Sequence, residues 1–388
     1  MGTIIDYLKE YGDYTFAKRP MNEVDSLVLC QFSYLKFDGI VPDVLEDKPF
    51  VTIEYLNRHQ EKEKLFADER YKEENTALFA GMLGSARYGS LKMNYYVNLI
   101  EPERETQFSA VTYLLEDKTV YLAYRGTDET IVGWKEDFNL AFSEPVPGQR
   151  YSVEYMKTVA RKFSKEFYVG GHSKGGNFAV FASMNCGPEI QKRIVKIFSH
   201  DGPGFRPEIR ERGQYEKIAD RVVRILPHSS IVGMLFGAHE DGYIVVESKT
   251  FGLLQHDPYT WLIKDDAFVK AKDIYKSRRF MDDALNDWIL SLDEEHIHSF
   301  VDTLYDVVSA SEAATLIDFT ADWKKSMLAV VGAVKGLDAE TAGMMKKIIV
   351  SLFEVAGAKA KEELQERSEK RRRRKEIQAP AVSHKDKK

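Results

Sequence analysis

The sequence predicts an α/β protein whose mostly parallel central sheet carries helices on both faces, and three observations support this. Short apolar runs rich in β-branched and aromatic residues alternate with amphipathic helical stretches between residues 108 and 247. One such run leads into a glycine-rich turn, Val169-Gly170-Gly171-His172-Ser173-Lys174-Gly175-Gly176-Asn177, and a small-residue helix follows it. After about residue 265 the strand pattern stops and helical periodicity runs to about Glu366, so an all-helical C-terminal extension is expected.

The elements follow in order. Val24 to Leu35 reads as a buried helix and Asn57 to Glu74 as a charged one. Phe108 to Leu115 and Thr119 to Tyr124 flank Glu116-Asp117-Lys118 as the two strands of a hairpin. Ser152 to Lys165 sets Val153, Met156, Val159, Ala160 and Phe163 on one helix face. Phe167-Tyr168-Val169 is the strand entering the glycine turn, and Lys174 to Met184 the helix leaving it. Ile194 to Phe198, Arg221 to Leu226 and Tyr243 to Glu247 complete the strands. The expected organisation is a mixed helical segment at 1–72 packed on the core, the core itself at 73–265 with a lid-like stretch at 128–150, a helical region at 266–366, and a disordered basic tail at 367–388.

Composition narrows the function. A hydrophobic content of 44% over 388 residues is enough to bury a large core. The two cysteines, Cys30 and Cys186, lack metal-ligand spacing and suit a reducing compartment. No secretory signal and no apolar run of membrane-spanning length is visible, so a soluble cytoplasmic protein is expected. The net charge of −6 divides into +6 on residues 369–388, around Arg371-Arg372-Arg373-Arg374, and −12 on the rest. A body this acidic argues against nucleic-acid binding, whereas the basic tail suits either solvent or an anionic membrane surface.

Gly171-His172-Ser173-Lys174-Gly175 fits the G-x-S-x-G pattern, in which glycines relieve crowding where a strand turns sharply into a helix and exposes the serine oxygen. The strand before it and the small-residue helix after it supply the context that pattern requires. A serine hydroxyl needs a base, and the base an acid. Of His200, His228, His239 and His256, only His256 follows the last strand, where the base belongs. Asp201, in Ser199-His200-Asp201-Gly202-Pro203-Gly204, is the leading acid, with Asp241 and Asp257 behind it. Oxyanion donors are expected from the Lys174 backbone N–H and from Thr127 in Tyr124-Arg125-Gly126-Thr127-Asp128. Ile131, Trp134, Phe138 and Phe142 recur at helical spacing, which suits either a core-packed helix or a cover over an acyl pocket. This chemistry requires no metal and no organic cofactor.

Arg125-Gly126-Thr127, Trp134-Lys135-Glu136-Asp137-Phe138 and Gly171-His172-Ser173-Lys174-Gly175-Gly176 together resemble class 3 lipases. Those enzymes carry an Arg-Gly-Ser/Thr oxyanion loop, a Trp-containing lid helix and a Gly-His-Ser-Leu-Gly-Gly elbow. The run from Ser173-Lys174-Gly175-Gly176-Asn177 through Asp201-Gly202-Pro203-Gly204-Phe205, Ser230-Ile231-Val232-Gly233-Met234-Leu235 and Gln255-His256-Asp257-Pro258 is similar to the bacterial Mbeg-like hydrolases. The resemblance spans about residues 20 to 265 and implies an α/β-hydrolase fold, with Ser173 as nucleophile and His256 as base. Two departures stand out: Lys174 replaces the lipase leucine, and the lipase acid is missing around Ser230. The expected activity is cleavage of a carboxylic ester, an acyl or lipid ester, by a Ser-His-Asp triad. The competing expectation is a hydrolase-fold scaffold with a decayed site, acting through its C-terminal helices and basic tail.

Overall fold

Side chains alternate along the strands between two apolar cores, and this alternation organises the computed structural model. It describes residues 1–68, 71–101, 103, 106–127, 145–213, 215–230, 232–235, 242–250, 252–272 and 343. In β4 (Val120–Tyr124), Tyr121 and Ala123 face one core while Val120, Leu122 and Tyr124 face the other. A sheet buried on both faces requires this period of two.

The other strands of the main sheet are β1 (Val51–Thr52), β2 (Lys92–Glu101), β3 (Thr106–Leu114), β5 (Phe167–His172), β6 (Ile194–His200), β7 (Val222–Pro227) and β8 (Ile244–Val246), laid side by side in sequence order. From β1 to β4 neighbours are antiparallel; from β4 to β8 they are parallel. The sheet is the mostly parallel one the sequence predicts, and the β3–β4 hairpin joins where expected. One core is built from α1 (Ile4–Tyr11), α2 (Glu23–Phe32) and α4 (Lys72–Leu83). The opposite core is built from α5 (Pro147–Arg161) and α6 (Lys174–Asn185).

Helix α2 is buried from Val24 to Phe32, so it has no solvent face. Its start is fixed by Asn22, whose side chain accepts from the backbone N–H groups of Val24 and Asp25. Buried Asp25 accepts from Arg87 Nε at 2.7 Å and from the Tyr7 hydroxyl at 3.0 Å. Arg87 Nη1 also donates to the carbonyls of Tyr14 and Arg19, pinning the N-terminal segment to the turn before β2.

Several expectations need correction. Residues 57–74 form no single helix: α3 (Ile53–Arg58) ends at His59, a 3-10 turn spans Lys62–Phe66, and α4 begins at Lys72. Helix α5 starts at Pro147 rather than Ser152, because proline's fixed φ suits the first helical position; residues 147–150 therefore belong to it and not to a lid. Strands also continue past residue 265. β9 (Ile263–Lys264) pairs with β10 (Ala267–Phe268), and Lys270 bridges back to Val246. Strand β2 escaped the sequence reading altogether. The remaining 128–144 stretch, the expected helical region beyond residue 272 except residue 343, and the expected basic tail lie outside the described residues.

Candidate active site

The parallel strands β4 to β7 all end on the same side of the sheet, and the candidate residues collect there. Strand β5 turns directly into α6 at Ser173, whose φ of 59° lies in a region that non-glycine residues rarely adopt. Such a conformation costs on the order of 1–3 kcal/mol and persists only where the surroundings over-determine it. The determinants are visible. The Ser173 N–H donates to the His200 carbonyl of β6 at 2.9 Å, and the Gly176 N–H donates to the Ser173 carbonyl at 2.9 Å. A Cβ on Gly171 would collide with the Gly175 carbonyl, so the flanking glycines let strand and helix close on each other.

The turn aims Ser173 Oγ at His256, with 2.8 Å to Nε2. His256 ends a 3-10 turn spanning Gly252–His256, after β8. Its Nδ1 lies 2.7 Å from Asp201 Oδ2. A carboxylate has no proton to give, so Nδ1 carries the hydrogen and Nε2 is left bare toward the serine. Asp201 follows β6 on a second strained turn, at φ 49°. It is fully buried, which demands that its charge be satisfied. Besides His256, it accepts from the Ser230 hydroxyl and, at 3.2 Å, from the Gly233 N–H. Ser230 follows β7, the neighbour of β6, and stands at the position where the resemblance to lipases expected an acid.

The other candidates are placed as follows. Asp257 is spent on its own turn, accepting from the Tyr259 N–H at 3.0 Å. His228 contacts Gln255 and lies 3.3 Å from Glu247. His200 is buried at the end of β6, beside Asp201, with Nε2 2.8 Å from Ser26 Oγ, and burial pushes its pKa down to about 3. Lys174 opens α6 immediately after Ser173; its side chain is buried, with Nζ 5.8 Å from the Phe178 ring centre. Thr127 is half-buried at the exit of β4. Its neighbour Gly126 lies against the elbow, where a Cβ would sit 3.1 Å from Ser173 Cβ. Trp134, Phe138, Phe142, His239 and Asp241 lie outside the described residues.

Sequence reasoning missed three supporting groups: Ser230 as a donor to Asp201, Gln255, and the Tyr34–His172 contact. Gln255 is buried and binds the base loop to the Ser229 N–H and the Thr250 carbonyl. Among the described residues no group of three His, Cys, Asp or Glu side chains could hold a metal ion, and no helix is long and apolar enough to cross a membrane.

A mostly parallel sheet whose strand-to-helix elbow presents a serine, hydrogen-bonded to a histidine from a later loop, defines the chain as a protein of the α/β-hydrolase fold. The profile of the Mbeg1-like family matches residues 82–306, and the chain belongs to that family. Solved structures similar to it include the Rhizomucor miehei lipase propeptide complex, at 19% identity and a TM-score of 0.30, over 40% of this chain and 57% of that one. Lipase II from Rhizopus niveus matches at 18% identity and a TM-score of 0.32, over 51% and 82%. A lipase from Rhizopus microsporus var. chinensis matches at 17% identity and 0.31, over 68% and 95%. The chain thus spans little more than half of the Rhizomucor miehei structure. No curated protein matches the sequence.

Proposed function

We propose that the protein is a serine hydrolase that cleaves a carboxylic ester through an acyl-enzyme. The observation that carries this reading is the unbroken relay from Ser173 Oγ to His256 Nε2, and from His256 Nδ1 to buried Asp201. In the first step His256 takes the serine proton as Oγ forms its bond to the ester carbonyl carbon. Asp201 holds the imidazole in the tautomer with its bare nitrogen toward the serine, and offsets the imidazolium charge once the proton has moved. The backbone N–H of Lys174, at the positive end of α6, and Thr127 across the elbow stabilise the oxyanion. Collapse of the tetrahedral species expels the alkoxide, which leaves with the proton from His256. Water then attacks the acyl-enzyme through the same base and releases the acid.

The proposed substrate is an acyl or lipid ester, with Trp134, Phe138 and Phe142 as its apolar cover and the basic tail as a contact with anionic membrane. Two free, buried cysteines support a cytoplasmic setting. The competing scaffold reading leans on the lack of a carboxylate near Ser230; the Asp201 carboxylate, which accepts from Ser230 and lies against His256, supports the hydrolase reading instead.

A fluorophosphonate probe, which phosphonylates an activated serine, tests the reading. The wild type should be labelled stoichiometrically and Ser173→Ala not at all, while His256→Ala should lose hydrolysis of p-nitrophenyl esters. Equal labelling of wild type and Ser173→Ala would remove Ser173 from its role.

A further inference from the structure

His172 immediately precedes the nucleophile, and its side chain reaches the main chain of the base. Its Nε2 lies 2.8 Å from the His256 carbonyl oxygen. A carbonyl has no proton to offer, so Nε2 carries the hydrogen, and in the neutral ring Nδ1 is an acceptor. The Tyr34 hydroxyl, 3.1 Å from Nδ1, supplies the matching donor from the segment just after α2. The ring centre of His172 lies 4.6 Å from that of His256, inclined by 34°. All three groups are largely withdrawn from water: Tyr34 and His172 are buried, and the His256 side chain is 26% exposed.

We infer that Tyr34 and His172 form a positioning pair that sets the distance between nucleophile and base. One rigid imidazole is joined by the chain to Ser173 and by a hydrogen bond to the backbone of His256. The separation of the reacting atoms is therefore held by a buried side chain with only two rotatable bonds, in addition to the packing of the two loops. Trp261 assists from the other side, donating Nε1–H to the preceding carbonyl, that of Gln255, at 2.7 Å. Two consecutive carbonyls of the base loop are thus each gripped by an aromatic N–H.

The pair also has an electrostatic role. When His256 takes the serine proton it becomes a cation with its ring centre 4.6 Å from that of His172, and a charged His172 would oppose that step. Tyr34, His256 and Trp261 face His172, and β6 brings His200 alongside in register. Burial keeps His200 neutral, and the nearby Asp201 carboxylate is committed to His256. The donor from Tyr34 favours the neutral Nε2–H form of His172.

This inference rests on the serine-hydrolase reading, and the test separates the two. His172→Gln keeps an N–H donor at the reach of Nε2, whereas His172→Asn keeps only the shorter reach toward Tyr34. Fluorophosphonate labelling and kcat on p-nitrophenyl butyrate should fall about 10²-fold in His172→Asn with KM nearly unchanged, the loss typical of a misplacement of about 1 Å. His172→Gln should stay within about fivefold of wild type on that scale. Nitrogen-15 NMR of the imidazoles should show Nε2–H on His172 and Nδ1–H on His256, with His256 losing its single tautomer in His172→Asn. Labelling of His172→Asn at the wild-type rate with an unchanged His256 tautomer would overturn the positioning role and leave the Ser173 assignment standing. A wild type that neither labels nor hydrolyses esters would defeat the hydrolase reading, and the His256 tautomer in the two variants would still decide the positioning role. Should His172→Asn fail to fold, Tyr34→Phe decides: a shift of the His172 tautomer supports the pair, and an unchanged tautomer refutes it.

Discussion

Asp201 and Ser230, at the ends of the adjacent strands β6 and β7, are joined by a hydrogen bond from the serine hydroxyl to the carboxylate. The two strands run in parallel with His200 opposite Ile225, so both strand ends open into one small space behind His256. A carboxylate placed at position 230 would start from the point where Ser230 now meets Asp201. In this chain the carboxylate that meets His256 follows β6, and Ser230, following β7, donates to it.

Under the proposed mechanism, that relationship should make the acid exchangeable. Asp201→Asn should preserve the fold but lower kcat by about 10⁴-fold, because an amide donor favours the wrong imidazole tautomer. Asp201→Ser should be similarly impaired, and adding Ser230→Asp to it should recover at least tenfold by restoring a carboxylate to the same space. Steady-state kinetics on a p-nitrophenyl ester measures both, and a double variant no better than Asp201→Ser alone would show that the two strand ends are not equivalent.

The exit of β4 should be equally sensitive. A Cβ on Gly126 would collide with the Tyr34 hydroxyl and lie 2.6 Å from the His172 carbonyl oxygen. Gly126→Ala must therefore move the Arg125-Gly126-Thr127 turn away from the elbow, and one proposed oxyanion donor with it. The expected loss is about 10²-fold in kcat, alongside a strain of about 1–3 kcal/mol. Kinetics and a thermal melt on the same sample separate the two effects. Wild-type kcat in this variant would exclude the turn from the oxyanion site.

Much of this site is legible in the sequence, because its parts are local. The proposed nucleophile is announced by glycines within two residues of Ser173, and the proposed base, His256, by its place after the last strand of the main sheet. Asp201 stood out as a carboxylate at a strand end, with no competitor between Leu226 and Val232. What stayed hidden depends on contacts between distant residues or on broken periodicity. Tyr34 and His172 meet across 138 positions, and neither carries a local signature of that contact. Strand β2 was obscured by a bulge between Asn94 and Val97, with Tyr95 at φ 57°, which shifts the inward and outward residues by one. Residues 57–74 are mostly charged, with Leu65-Phe66-Ala67 as their single apolar run, so no apolar stripe marked where α3 ends and α4 begins. Strands as short as β1 and β10, two residues each, are below the length at which alternation can be read.

The buried ion pair that anchors the N-terminal segment predicts an asymmetric response to substitution. Asp25 and Arg87 are both almost inaccessible to water, and Asp25 also serves the Tyr7 and Tyr88 hydroxyls. Arg87→Met alone should cost about 3–5 kcal/mol, since it leaves a carboxylate buried without a countercharge. Asp25→Leu combined with Arg87→Met should be less damaging than the sum of the two single variants, because neither charge is then stranded. Urea unfolding of the three variants measures the coupling. Strict additivity would mean that the two side chains contribute independently.

His200 should impose an acid limit on stability. Desolvation holds its pKa at about 3 in the folded protein, against 6.5 for the free side chain. Between those values the unfolded chain takes up a proton that the native chain refuses. Stability is therefore fully present above about pH 6.5 and falls as the pH drops toward 3, at up to about 1.4 kcal/mol per unit. His200→Gln keeps a polar end near Ser26 Oγ but does not titrate. Between pH 7 and pH 5 the wild type should lose about 2 kcal/mol more unfolding free energy than this variant. Denaturant titrations at the two pH values give the comparison. Parallel losses in both proteins would mean that the imidazole is protonated in the native state, and that Ser26 and its neighbours accommodate a charge there.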